Sequence, residues 1–181
     1  MRWIPFIVVG YVVILLQTSL GRILTLPSPV GMVGPDLAAI LAVFVALRVR
    51  SAVDCLLAAW VLGLFIDLTT GGGPGSATVV GPMPIAYALV AGLIFKVREA
   101  FFRDRAMTQV LVALFFVLLS HGLWVTIQAM RMGGIAWADY RRYLLQVLLV
   151  AIYSAVLTPL LQYLFGYLER VIMPQVSQRS F

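Results

Sequence analysis

Cysteine and histidine are nearly absent. Cys55 is the only cysteine in 181 residues, so no disulfide within the chain and no thiolate metal cluster can form. His121 is the only histidine, which argues against a histidine-built metal centre. Charge is also scarce, at 11% Asp, Glu, Lys and Arg, where ordinary soluble domains carry about 25%. Nucleophile elbows, metal-ligand spacings and phosphate-binding glycine loops are missing. The GGGPG run at 71–75 lacks the following Lys-Ser/Thr of a Walker-type loop. No catalytic residue is assigned, and the expectation is a chain that is not an enzyme and uses no cofactor or metal.

Apolar sequence is what remains. The chain is 62% hydrophobic, its mean hydropathy is +1.04, and a soluble fold of this size cannot hide that much apolar surface. Runs of about 18 residues or more can cross a hydrocarbon layer roughly 30 Å thick. The expected fold is an all-α integral membrane protein, one polytopic domain over residues 1–181. It is read as a compact bundle of six transmembrane helices, near 3–20, 36–50, 52–69, 79–97, 107–130 and 143–168. A net charge of +6 would suggest nucleic acid in a soluble chain. Here the basic residues flank apolar runs and orient helices, so no nucleic-acid partner is expected. Met1-Arg2 before an apolar run resembles a signal peptide, but QTSLGR offers no A-x-A-like cleavage site, so the first helix is expected to stay.

Several of these helices are short or interrupted. LTLPSPVGMVGP, before the second, is too rich in Pro and Gly for a regular helix. Asp36 then opens the second helix, where its side chain can cap the free N–H groups of the first turn. Ser51-x-x-Asp54 has the spacing of a capping box at the start of the third. Asp67 has no such role in its own helix: it falls in the last turn, where the helix dipole disfavours negative charge. Val33-Gly34-Pro35 and Val80-Gly81-Pro82 each precede a short apolar helix with a basic end. Paired interrupted segments of this kind point to binding sites in transporter-like folds.

With six spans, one side collects Arg2, Arg48, Arg50, Lys96, Arg98, Arg103, Arg105, Arg170 and Arg179, and the other only Arg22, Arg131, Arg141 and Arg142. Nine against four places both termini in the cytoplasm by the positive-inside rule. Asp36, Asp67, His121 and Gln17 then share the outer half. Ionisable groups inside a membrane mark sites or pathways, so these four are candidates for binding a small polar ligand, a lipid headgroup or a partner's helix.

Pro35-Asp36 opening an apolar helix, the basic break at Arg48 to Arg50, and G-L-F-I-D-L-T-T-G from Gly63 to Gly71 resemble MreD, the rod shape-determining membrane protein family. The LLQTSL of the first helix, the basic loop after the fourth and the L-T-P-L-L…L-E-R near the end are also similar to that family. One departure is the longer GGGPGSATVVGPMP, standing where the family has a Pro/Ser-Leu-Gly-like element. The resemblance implies a non-enzymatic subunit of the bacterial cell-elongation complex, multi-pass in the inner membrane and supporting lateral peptidoglycan synthesis. It implies MreC as the binding partner, with MreB, RodA and a class B penicillin-binding protein in a larger assembly. It also implies a fold similar to the S-components of energy-coupling-factor transporters, which supplies the alternative: a substrate-binding subunit of a small-molecule transporter. On this reading Asp36, Asp67, Gly63, His121 and Gln17 shape a partner or ligand surface. The cytoplasmic basic loop of Lys96, Arg98, Arg103 and Arg105 lies against membrane lipids or cytoskeletal partners.

Overall fold

Leu37 to Leu47 is apolar at every position, with no polar stripe to turn toward another phase. A helix hydrophobic all round belongs inside a larger structure. The computed structural model, which describes residues 1–29, 31–69, 81–98, 106–131 and 137–172, places it there. Helix α2, Leu37–Arg48, has all eleven of those residues buried. It touches each of the five other described helices: α1 (Trp3–Leu24), α3 (Ala52–Thr69), α4 (Pro82–Val97), α5 (Ala106–Arg131) and α6 (Trp137–Ile172).

The outer helices carry the complementary pattern. Ile4, Ile23, Leu89, Phe115 and Val156 are all more than half exposed, and every outer helix adds others like them. Water would not tolerate so much open apolar surface, whereas lipid requires it. Among the described residues, four helices are long and apolar enough to cross a membrane: those containing Trp3–Leu20, Ala52–Thr69, Ala106–Met130 and Asp139–Glu169. The chain is therefore an all-α, multi-pass membrane protein. At 1.5 Å per residue α2 covers only about 18 Å and α4 about 24 Å. Only α2 is enclosed by its neighbours; α4 keeps an open face at Ile85, Leu89 and Leu93.

Beyond Leu24, which closes α1, the described residues of LTLPSPVGMVGP are not helical. They form an antiparallel hairpin of β1 (Leu26–Ser28) and β2 (Gly31–Val33), with Leu26 opposite Val33 and Ser28 opposite Gly31. Pro27 removes one N–H from the outer edge of β1. On the edge of β2, the Gln146 side chain of α6 donates Nε2–H to the Met32 carbonyl at 2.9 Å.

Element ends differ from expectation where hydropathy was the guide. Helix α6 starts at Trp137 rather than near 143 and runs 36 residues. Helix α1 continues through Gly21 and Arg22 to Leu24. Loss of apolar character marks where a helix leaves lipid, not where its hydrogen bonds stop.

At the opposite end Arg2 N–H donates to Ile172 C=O at 2.9 Å, and Arg48 meets Glu169 at 2.6 Å. The first and last described residues thus share the Arg48 end of the bundle.

Candidate functional site

Asp36 ends the irregular segment that follows the hairpin. Its backbone is extended (φ −95°, ψ 92°) and it serves as the N-cap of α2. Oδ1 accepts from Ala39 N–H at 2.9 Å, the capping bond anticipated from sequence. The other oxygen reaches across the bundle. Oδ2 accepts from the Tyr87 hydroxyl of α4 at 2.6 Å and lies 2.7 Å from His121 Nε2 of α5. A carboxylate only accepts, so Nε2 is the protonated ring nitrogen in this pairing. Both contacts have the short separations of charge-assisted bonds.

Two further side chains complete the knot. Asp36 N–H donates to Ser154 Oγ of α6 at 2.9 Å, and Ala38 N–H donates to Gln17 Oε1 of α1 at 3.0 Å. These satisfy first-turn amides that a helix cannot pair internally. Gln17, Asp36 and His121 are thus brought together, joined by Tyr87 and Ser154, so five helices meet around the first turn of α2. Asp36 is 3% exposed and Tyr87 fully buried, while the His121 side chain retains 20%. Tyr87 also packs edge-to-face on Phe116 of α5, with ring centroids 5.0 Å apart.

Asp67 stands apart from this knot and has its own task. Helix α4 begins at Gly81-Pro82, with no side chain of its own to cap it. Asp67 Oδ2 fills that place from the end of α3, accepting from Gly81 N–H at 2.8 Å and Met83 N–H at 3.3 Å. The unfavourable position in α3 is thereby offset by a favourable one at the positive end of α4. Gly63, one turn earlier, makes the approach possible. A Cβ there would lie 2.7 Å from Pro84 Cα and 2.8 Å from Met83 O. The glycine of the GLFID segment is a point of helix–helix contact inside the bundle.

At the Arg48 end the basic residues divide. Lys96 is exposed. Arg98 is buried and turns inward: its guanidinium donates to the Ala46 carbonyl at 3.3 Å and to the Val49 carbonyl, and it lies 3.8 Å from the centroid of the Phe95 ring. It closes the carbonyl end of α2 as Asp36 closes the amide end, so it is not offered to lipid headgroups. Arg103 and Arg105 lie outside the described residues.

Sequence reading missed Tyr87, Ser154 and the inward course of Arg98. Tyr87 stands in an apolar run as one more aromatic, and Ser154 is a small residue that lipid-embedded helices tolerate anywhere. Their pairing with Asp36 follows only from the packing.

The arrangement can hold helices together and can present His121 at a partly open edge. Both Asp36 oxygens and one Asp67 oxygen are engaged by donors from the chain itself. Among the described residues, no group of three His, Cys, Asp or Glu side chains is placed to hold a metal ion. Comparison with family models, with curated proteins and with solved structures returned no match.

Proposed function

We propose that this chain is a non-enzymatic membrane subunit of the MreD type, working in the bacterial cell-elongation complex and binding MreC. The observation that carries the reading is the role of the residues behind the resemblance. Pro35-Asp36 opens the central helix at the five-helix knot. Gly63 and Asp67 fix α3 to α4. A sequence signature concentrated on the fastenings of the bundle suits a protein whose product is a shaped surface rather than a reaction.

On this reading the partner docks on the surface at the Asp36 end, which faces outward, with both termini in the cytoplasm. Asp36 and Asp67 are buried and shape that surface from within rather than touching MreC. Lys96 and the basic segment beyond it face anionic headgroups or cytoskeletal partners. MreB, RodA and a class B penicillin-binding protein belong to the wider assembly.

Depletion in the native cell tests the proposal. Insertion of new peptidoglycan along the side wall should stop and the cells should round. Unchanged shape and unchanged side-wall insertion would refute it. The transporter reading draws on different features, the Gly/Pro-interrupted sequence before α2 and α4 and a partly exposed His121. It predicts instead a small polar ligand bound near that histidine and a cytoplasmic ATPase partner.

A further inference from the structure

The buried face of α6 carries polar groups at one-turn intervals: Ser154, Thr158 and Gln162, which are 0%, 0% and 6% exposed. Two of them have identified partners. Ser154 Oγ accepts from Asp36 N–H, and Thr158 Oγ1 donates to the Ser154 carbonyl at 2.8 Å. Gln162 Nε2 is different: it is buried, and among the described residues no hydrogen-bond acceptor reaches it. An amide N–H left so in an apolar interior costs about 1–3 kcal/mol, and native structures seldom keep one without a water or another ligand.

The same helix holds an acceptor in the matching condition. Pro159 lies inside α6 and has no N–H, so it cannot give the Ala155 carbonyl its ordinary i→i−4 bond. Ala155 is 3% exposed, which puts that carbonyl in the interior as well. Residues 155 and 162 are seven apart, so they lie on one face within about 20° of each other. Helical side chains lean toward the N-terminus, which carries the Gln162 amide back up the helix toward the Ala155 carbonyl. Helix geometry thus puts an unpaired donor and a carbonyl deprived of its i→i−4 bond on one face, on either side of the proline step.

We propose that a buried water molecule is bound at this step, accepting from Gln162 Nε2 and donating to the Ala155 carbonyl. Ordered water is one of the ways in which proline-broken helices in lipid recover their backbone pairing. The site divides α6 into two pieces with separate attachments. The upper piece is tied to the hairpin by Gln146 and to Asp36 by Ser154. The lower piece is tied to α2 through Phe165 on Phe44 and Glu169 on Arg48. A hydrated break between them gives the helix one defined bending point. This inference does not depend on the identity of the partner.

A mutant cycle on the full chain in detergent tests it, with thermal unfolding as the readout. Gln162→Leu should lower the midpoint by about 2–4 °C or more for each unpaired group it leaves. Pro159→Ala returns an N–H to the Ala155 carbonyl, so in that background Gln162→Leu should have no cost or should raise the midpoint. An equal rise in both backgrounds would overturn the proposal, since it would mean an amide that never held water. Should Pro159→Ala fail to fold, hydroxyl-radical footprinting by X-ray irradiation, which oxidises side chains beside bound water, decides the matter. Oxidation of Leu161 and Phe165 that disappears in Gln162→Leu supports the site, and no oxidation there in the unmodified chain refutes it.

Discussion

Gly63→Ala is the smallest change that tests the joint between α3 and α4. The added methyl would sit 2.7 Å from Pro84 Cα, 2.8 Å from Pro84 N and 2.8 Å from Met83 O. These are backbone atoms and cannot swing aside. Restoring ordinary contact requires the helices to part by roughly 0.7–1 Å. Alanine is the better helix former by about 1 kcal/mol, which taken alone predicts stabilisation. Against it stand about 1–3 kcal/mol for overpacking and the displacement of Asp67 one turn away. Its bonds to Gly81 and Met83, at 2.8 and 3.3 Å, would pass out of reach and leave α4 uncapped, at about 1 kcal/mol or more. The net loss is about 1–3 kcal/mol, read as a fall of about 2–12 °C in the melting midpoint of the purified protein. Gly122→Ala is the control. A Cβ at that position meets nothing within 4 Å, so helix propensity alone should act and the midpoint should hold or rise. Equal midpoints for Gly63→Ala and the unmodified protein would refute the close-contact reasoning.

Other fastenings make comparable predictions. Asp36→Leu leaves the Ala39 amide, the Tyr87 hydroxyl and the His121 ring unpaired in the interior, so a loss of about 3–5 kcal/mol is expected, seen as poor recovery of monodisperse protein on gel filtration. Tyr87→Phe removes one donor of three and should cost only about 1 kcal/mol, measurable as a small shift in thermal unfolding without loss of yield. Asp67→Asn keeps an acceptor at the start of α4 and should be far milder than Asp67→Ala, which loses about 1 kcal/mol in cap strength. Arg98→Met exposes the last carbonyls of α2 to an apolar interior and should destabilise by about 2–3 kcal/mol, whereas Lys96→Met, at an exposed position, should leave the midpoint unchanged. Charge reversal at Arg103 and Arg105 should weaken localisation in cells if the basic loop meets headgroups or cytoskeletal partners, and wild-type localisation would remove that part of the proposal.

The parts of this fold legible from sequence are those governed by neighbours in the chain. Asp36 opening a helix that ends at Arg48, and Ser51 preceding Asp54, are local capping patterns, and α2 and α3 start close to where those patterns place them. Of the four polar residues expected to share one level, Gln17, Asp36 and His121 meet at the start of α2, whereas Asp67 bonds to the start of α4. The hairpin was not foreseen because the stretch from Leu26 to Val33 contains none of the Asn-Gly or Asp-Gly pairs that announce such turns. Asp67 looked misplaced because its partners, Gly81 and Met83, come 14 and 16 residues later. The hint was the start of α4, which carries two prolines and a glycine but no capping side chain. Helices α1 and α6 outran expectation because polarity limits the membrane, not the helix.

Purifying the tagged protein from its native membranes in mild detergent, and identifying every protein and small molecule that accompanies it, tests the central claim most directly. The account predicts a single-span coiled-coil protein of the MreC type. Recovery of an ATPase pair with a bound vitamin-like ligand, and no such coiled-coil protein, would contradict it and make the chain a transporter subunit.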